Sequence, residues 1–260
     1  MQPQMQHLIE WSKQAGQILK AGFGQAHQIR QKSATDVVTE IDQAAEAYLV
    51  EQIRATFPDH SILAEESGAH NGAGSRCWYL DPLDGTVNYT HGLPFFAVSI
   101  AFVEDGQLQL GAVYDPLRDE CFYAGRGQGA FLNGIPIHVS QTKQMIAALL
   151  GTGFPYDLLS NDDISMDDYN HFALQTQGVR RLGSASLALT YVACGRLDGY
   201  WEQKLAYWDI AAASLLIQEA GGVVTDMRGK PDFLRPPYSV VAANPQMHPQ
   251  MIDTLLYNDD

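Results

Sequence analysis

Trp78-Tyr79-Leu80-Asp81-Pro82-Leu83-Asp84-Gly85-Thr86 carries both the fold and the chemistry of this chain. Its apolar, aromatic run predicts a buried strand that ends on Asp81, because Pro82 has no N–H with which to continue a ladder. Asp84, three residues on, can return to the same point. Gly85 and Thr86 then offer backbone N–H groups to a phosphate oxygen if a helix begins there. Two carboxylates beside an anion-receptive turn suit a hard divalent cation that bridges to phosphate. Alone, the stretch reads slightly better as a polar Asp-Pro turn with Asp84 capping a helix, so the other acids must decide.

Those acids sit in comparable places. Ile62-Leu63-Ala64-Glu65-Glu66-Ser67 ends a second strand on paired carboxylates, which are costly there unless solvated or metal-bound. The following Ser67-Gly68 equally suits the start of an exposed loop. Tyr207-Trp208-Asp209-Ile210-Ala211-Ala212-Ala213 places an acid at the start of an apolar helix, where a cap alone is worth roughly 1 kcal/mol. Asp42 follows Thr39 at capping-box spacing. That every one of these acids is only a cap would be a coincidence.

The rest of the chain supplies two rhythms. Leu8, Trp11, Ala15, Ile18 and Leu19 recur at helical spacing, as do Ile41, Ala45, Tyr48, Leu49 and Phe57. Strands are expected at 61–64 and 77–80. From 95 to 140 the turn signals Asp105-Gly106, Asp115-Pro116 and Asn133-Gly134 punctuate β-prone runs, the pattern of an antiparallel sheet. After about 141, apolar strands (146–150, 222–225, 239–242) alternate with helices (187–194, 210–220, 247–257), which implies layered α/β packing. The reading is an N-terminal α+β lobe over 1–140, carrying most candidate ligands, and a C-terminal α/β lobe over 141–260, carrying Asp209 and the substrate pocket. No linker or repeat separates them, and the crevice between is a natural small-molecule site.

Composition narrows the function. With 260 residues, 46% of them apolar and 10% aromatic, the chain can bury a core and is not disordered. No apolar run approaches the ~20 residues of a membrane span, and the first residues do not read as a signal peptide, so a cytoplasmic protein is expected. Sixteen basic against thirty acidic residues give a net charge of −14 with no basic run, which argues against nucleic acid or an anionic membrane as partner. Cys77, Cys121 and Cys194 are odd in number and lack a C-x-x-C pair, which fits reduced thiols.

Taken in order, these segments resemble the inositol monophosphatase family of Mg²⁺-dependent, lithium-sensitive phosphomonoesterases. The resemblance rests on W-x-L-D-P-L-D-G-T-x-N from Trp78 to Asn88 and on Trp208-Asp209-Ile210-Ala211-Ala212. Further matches are Lys32-Ser33 with Asp36-Val37-Val38-Thr39 through Asp42, Glu65-Glu66-Ser67, Gly127 to Gly134, Gly151-Thr152-Gly153-Phe154-Pro155-Tyr156 and Arg181-Leu182-Gly183-Ser184-Ala185-Ser186. It implies a layered α-β-α-β-α sandwich of the sugar-phosphatase type and a homodimer. It also implies two to three Mg²⁺ ions, one held by Glu65, Asp81 and the Leu83 carbonyl, a second by Asp81, Asp84 and Asp209, with Glu65 reaching a weaker third. Thr86, bonded to Asp42, would orient the attacking water. Gly85 and Thr86 would bind phosphate, and Ser184, Ala185 and Glu202 would line the pocket for the alcohol.

The all-oxygen ligand set leaves the eight histidines without a direct role; His91 is expected to be structural or to support a ligand from behind, and Arg180, Arg181 and Arg196 to be structural. The preferred small-molecule substrate is a myo-inositol monophosphate. Relatives act instead on fructose 1,6-bisphosphate, histidinol phosphate or 3′-phosphoadenosine phosphates. The short loop between Ser67 and Trp78 speaks against the nucleotide branch, and the lack of a basic cluster against the bisphosphate. Gln203-Lys204-Leu205-Ala206-Tyr207 departs from the Gly- or Pro-containing segment of many relatives, beside the substrate's alcohol. The rival from another class is a non-enzymatic interaction protein on the same scaffold, disfavoured because a retired site has no reason to keep mutually repelling carboxylates.

Overall fold

The structure, a computed structural model, describes residues 2–25, 29–31, 37–154 and 166–256. The segments 32–36 and 155–156, which contribute to the family resemblance, lie outside the described residues.

Helices α1 (Met5–Gly22) and α2 (Glu40–Thr56) form one outer layer. Their apolar stripes, Leu8, Trp11, Ala15 and Leu19 on α1 and Ala45, Leu49 and Ile53 on α2, are fully or nearly fully buried against the first sheet. Thr39 is the N-cap of α2, and Asp42 completes the capping box foreseen from its spacing. A short antiparallel ladder of β1 (Ile29–Gln31) and β2 (Val37–Thr39) lies between the two helices in sequence.

That first sheet has eight strands: β3 (Ser61–Ala64), β4 (Gly68–His70), β5 (Arg76–Asp84), β6 (Ala97–Glu104), β7 (Gln107–Asp115), β8 (Glu120–Gly125), β9 (Gly129–Leu132) and β10 (Ile135–Pro136). All neighbours run antiparallel except β3 and β5, which are parallel. Two of its hairpins turn on the dipeptides flagged in the sequence. Asp105-Gly106 and Asn133-Gly134 all have positive φ, the requirement of the tight turn that matches strand twist. Along β6 alternate residues face opposite cores, Ile100 toward α1 and α2 and Ala101 toward the interior, so the strand reads as one unbroken apolar run.

β5 differs from its sequence reading. It does not stop at Asp81. Pairing with β6 lapses after Asp81↔Ser99 and resumes at Asp84↔Ala97, so Pro82 and Leu83 form a bulge rather than a strand end. A five-residue helix, α3 (Thr86–Thr90), follows Gly85, whose φ of 100° needs a residue without Cβ.

The C-terminal half adds a five-stranded mixed sheet of β11 (Leu149–Thr152), β12 (Gly178–Arg181), β13 (Gly199–Gln203), β14 (Val223–Thr225) and β15 (Ser239–Ala243), in the order β12-β11-β13-β15-β14. Helices α5 (Ala185–Ala193) and α6 (Tyr207–Glu219) pack between the two sheets, while α4 (Met166–Gln175) and α7 (Met247–Leu256) cover the far side through Phe172, Met247, Met251 and Leu255. The result is the expected α-β-α-β-α layering. Residues 210–217 of α6 are all buried, as a helix enclosed between two sheets must be. Its Ala212 rests on Gly111 of β7, where an added Cβ would lie 2.8 Å from the Ala212 carbonyl oxygen.

Residues 146–150 are not one strand. Met145–Ala147 form a turn of 3₁₀ helix, and the strand begins at Leu149. The patterns of β12, β13 and α4 were not anticipated. β13 is central and buried, and its sequence Gly-Tyr-Trp-Glu-Gln places a glutamate inside the protein, which masks the strand signal.

Candidate active site

Strand register brings the acids together. The parallel pairing of β3 and β5 sets Ala64 beside Leu80, and the Glu65 N–H continues the ladder to the Leu80 carbonyl at 3.2 Å. Glu65 and Asp81 are therefore neighbours. The loop after Glu65 is fixed from α2, where the buried Glu46 carboxylate accepts the N–H groups of Glu66 at 2.7 Å and Ser67 at 2.8 Å. On the other side of β5, Ser99, the cross-strand partner of Asp81, donates to the Trp208 carbonyl at 3.1 Å and so pins the start of α6. Asp209 occupies the first turn of α6, not the N-cap, and its carboxylate accepts the Ala206 N–H at 2.7 Å.

The end of the signature, Asn88, explains how the second half reaches the site. Its amide donates to the carbonyls of Phe95 at 2.8 Å and Leu182 at 2.7 Å. Gly183, with positive φ, packs against that amide so closely that a Cβ would lie 2.8 Å from Asn88 Nδ2. The chain then turns into α5, delivering Ser184, Ala185 and Ser186 opposite Asp84.

The resulting pocket has a volume of about 310 Å³, and Glu65, Asp81, Leu83, Asp84, Gly85, Thr86, Ser184, Ala185, Glu202 and Asp209 all line it. Asp42 lies behind it, 1% exposed, and accepts the Thr86 hydroxyl at 3.1 Å through Oδ1. Its Oδ2 accepts the Thr39 N–H at 3.0 Å and the Thr39 hydroxyl at 2.5 Å. Asp42 is thus both a capping-box acid and a partner of Thr86. The Thr86 hydroxyl also lies 3.0 Å from the Leu83 carbonyl oxygen.

The electrostatics are those of crowded acids. Burial lifts the carboxyl pKa of Asp81 well above its ordinary value, and Glu65, Asp84 and Asp209 push it further; its carboxyl also hydrogen-bonds Glu65. Burial raises Asp209 too, aided by Asp84, while the Ala206 N–H pulls the other way. Asp84 is raised by burial against the donors of α5. Among the described residues none of Asp81, Asp84 and Asp209 has an ion pair with a lysine or arginine.

This donor set, all oxygen and anionic, fits a hard divalent cation better than any side-chain partner present. The carboxylates share the pocket without closing on one point. Among the described residues no three His, Cys, Asp or Glu side chains gather as a chelating group. Asp84 in particular is turned onto α5: its Oδ2 accepts from Ser184 Oγ at 2.6 Å and from Ser186 N and Oγ at 2.7 and 2.5 Å.

Some residues with a place in the site were not singled out by sequence. Ser186 is one, although the S-x-S before a helix was visible. Tyr200 is another: it lines the pocket and donates to Glu202, and its i, i+2 spacing from that residue was the available signal. Arg181, expected to be structural, also lines the pocket, with its guanidinium 5.7 Å above the Phe154 ring. Arg196 is structural as expected, bonded twice to Glu120 at 2.5 Å. His91 caps α3 and lies outside the pocket. Folding also does what the linear sequence could not show. Lys204, Arg228, Lys230 and Arg235 line a neighbouring groove of about 780 Å³, but with Asp168, Asp226 and Asp232, so its charge is nearly balanced.

Comparison with known proteins places the chain. The model of the inositol monophosphatase family matches residues 1–258. The protein named Nus factor SuhB of Pseudomonas aeruginosa is 42% identical over 98% of this chain and 96% of its own length. Its namesake in Escherichia coli K12 is 38% identical over 97% and 95%. Among solved structures, the inositol monophosphatase of Anabaena superposes with a TM-score of 0.88 at 41% identity, covering 97% of this chain and 95% of that one. The extragenic suppressor protein suhB of Bartonella henselae gives 0.93 at 35% identity, covering 96% and 97%.

Proposed function

The chain belongs to the inositol monophosphatase family, and from that premise we propose that it is a Mg²⁺-dependent phosphomonoesterase acting on a myo-inositol monophosphate. One observation carries the reading: acids from three distant stretches, Glu65, Asp81 with Asp84, and Asp209, line one pocket together with Ser184 and Glu202.

Glu65, Asp81 and the Leu83 carbonyl would hold one Mg²⁺, and Asp81, Asp84 and Asp209 a second. When bound, the ions lower the pKa of water and neutralise charge on the phosphoryl group and the departing alkoxide. The protein's own part is positional. Because the Asp42 carboxylate faces the Thr86 hydroxyl, that hydroxyl donates inward and turns its oxygen lone pairs to the pocket, where they can accept a hydrogen bond from the attacking water and so orient it. The backbone N–H groups of Gly85 and Thr86 meet the phosphate oxygens. The alcohol lies toward Ser184, Ala185 and Glu202, which line the same pocket.

Phosphate release from myo-inositol 1-phosphate, measured with and without Mg²⁺ beside fructose 1,6-bisphosphate, histidinol phosphate and 3′-phosphoadenosine phosphate, tests the reading. Turnover of the inositol ester only with Mg²⁺ is the expected result. Li⁺ should inhibit by competing for an oxygen-lined cation position. A dimeric mass in solution is expected as well.

A second reading is favoured by the names of the relatives, several of which are called Nus factors. In it the chain serves as a Nus factor, with or without turnover. No phosphate release across the panel from metal-replete protein would favour that role alone.

A further inference from the structure

The Gly151-Thr152-Gly153 segment, one of the family-like motifs, has no part in the chemistry above, and its position gives it one. β11 runs parallel to β13 with Gly151 opposite Tyr200 and Thr152 opposite Trp201, so Gly153 follows beside Glu202. The Thr152 hydroxyl donates to the Trp201 carbonyl at 2.9 Å and locks that register. A Cβ on Gly151 would lie 2.8 Å from Cδ2 of the Tyr200 ring, and a Cβ on Gly153 would overlap both carboxylate oxygens of Glu202. The two glycines therefore make room, one for the ring and one for the carboxylate. Tyr200 in turn donates its hydroxyl to Glu202 Oε2. Tyr200 is 2% and Glu202 8% exposed, and both line the pocket.

We propose that Tyr200 and Gly153 are positioning residues that clamp Glu202 so that its remaining acceptor capacity reads hydroxyl donors on the alcohol portion of the substrate. A carboxylate has about four acceptor positions, and among the described residues Tyr200 occupies one. The ligand class that satisfies the others is a polyol, whose hydroxyls donate. An alcohol without donors leaves the buried carboxylate underbonded, and that difference is a source of selectivity.

The inference rests on the phosphomonoesterase reading, and two substrates separate them. myo-Inositol 1-phosphate presents several hydroxyl donors, and 4-nitrophenyl phosphate presents none on its leaving group. In Tyr200→Phe, selectivity (the ratio of kcat/KM for the polyol ester to that for the aryl ester) is expected to fall about tenfold, through KM for the polyol rather than kcat. Gly153→Ala, which displaces the carboxylate without removing it, should lower the same ratio. If Gly153→Ala does not fold, Tyr200→Phe decides. A ratio unchanged within twofold in Tyr200→Phe, or a loss confined to kcat for both substrates, overturns the clamp and leaves the phosphatase reading standing. Wild-type protein that turns over neither ester overturns that reading, and the clamp with it.

Discussion

Ser186 holds Asp84 twice, through its backbone N–H at 2.7 Å and its hydroxyl at 2.5 Å, both onto Oδ2. The first turn of α5 thereby orients a carboxylate that belongs to β5, 102 residues earlier. Groups that orient a metal-ligating carboxylate typically contribute 10- to 100-fold in affinity or activity. Ser186→Ala should accordingly raise the Mg²⁺ concentration for half-maximal turnover by about tenfold, while Asp84→Asn or Asp209→Asn abolishes turnover with the circular dichroism spectrum retained. Near-normal kcat in either asparagine variant would overturn the assignment of these acids.

The same pair shows where the sequence was readable. Asp84 stood out because a strand, a proline and a glycine fixed its surroundings within nine residues, and the Asp105-Gly106 and Asn133-Gly134 turns were equally local. Ser186 was not singled out because its partner is far away in sequence, and nothing in a serine of a helix's first turn says which acid it meets. β13 failed for a different reason. Helix α5 packs on the Tyr200 face and Phe172 of α4 on the Trp201 face, burying Gly199 to Glu202 from both sides, so the alternation that marks a half-exposed strand is absent. β5 was cut short at Pro82 because sequence registers the lost donor but not the bulge that lets pairing resume.

Thr86 and Asp42 form the next test. Asp42 accepts Thr86 on one oxygen and Thr39 on the other, so the amide of Asp42→Asn can satisfy only one side. That variant should lose about 1 kcal/mol from the capping box, seen in urea denaturation. It should also lower turnover, because the Thr86 hydroxyl is then held by a neutral amide or the Leu83 carbonyl in place of a carboxylate. Thr86→Val should lower kcat about 100-fold at little cost in KM, the scale of losing a group that orients the attacking water, and Thr86→Ser should restore most of it. Equal rates for the valine and serine variants would remove the hydroxyl from the mechanism.

Crowded acids also set a pH dependence. Burial and neighbouring carboxylates raise Asp81 and Asp209, and burial raises Glu202 from 4.5 to about 7. A carboxyl whose folded pKa lies above its unfolded value binds more protons in the folded state, so its contribution weakens stability as pH rises through that interval. For Glu202 the interval runs from 4.5 to about 7, and a shift of that size corresponds to roughly 3 kcal/mol. His60 and His248, kept neutral by burial, act oppositely below their ordinary value of 6.5. The melting temperature without Mg²⁺ should therefore fall from pH 6.5 to about 7, above the histidine range and still inside the Glu202 interval, and saturating Mg²⁺ should offset the share of Asp81 and Asp209 by favouring their ionised forms. Asp209→Asn should show a smaller slope without Mg²⁺; a slope equal to wild type would mean that these acids are not coupled.

Gly111 joins the fold to the site. Its missing side chain lets α6 approach β7, and an added Cβ would lie 2.8 Å from the Ala212 carbonyl oxygen and 3.0 Å from its Cα. These are backbone atoms of the helix that carries Asp209, so the helix itself must move. Overpacking of this kind typically costs about 1–3 kcal/mol, and Gly111→Ala should show that loss in its urea midpoint. Because Asp209 rides on the displaced helix, the Mg²⁺ concentration for half-maximal turnover should rise as well. Gly106→Ala supplies the control. At φ 73° in the β6–β7 turn, with nothing within 4 Å of its added Cβ, it destabilises through backbone strain far from the helix. If the two variants lose comparable stability and only Gly111→Ala shifts the Mg²⁺ requirement, the seat of α6 on β7 sets the position of Asp209. If both shift it alike, the effect runs through global stability and Gly111 has no special tie to the site.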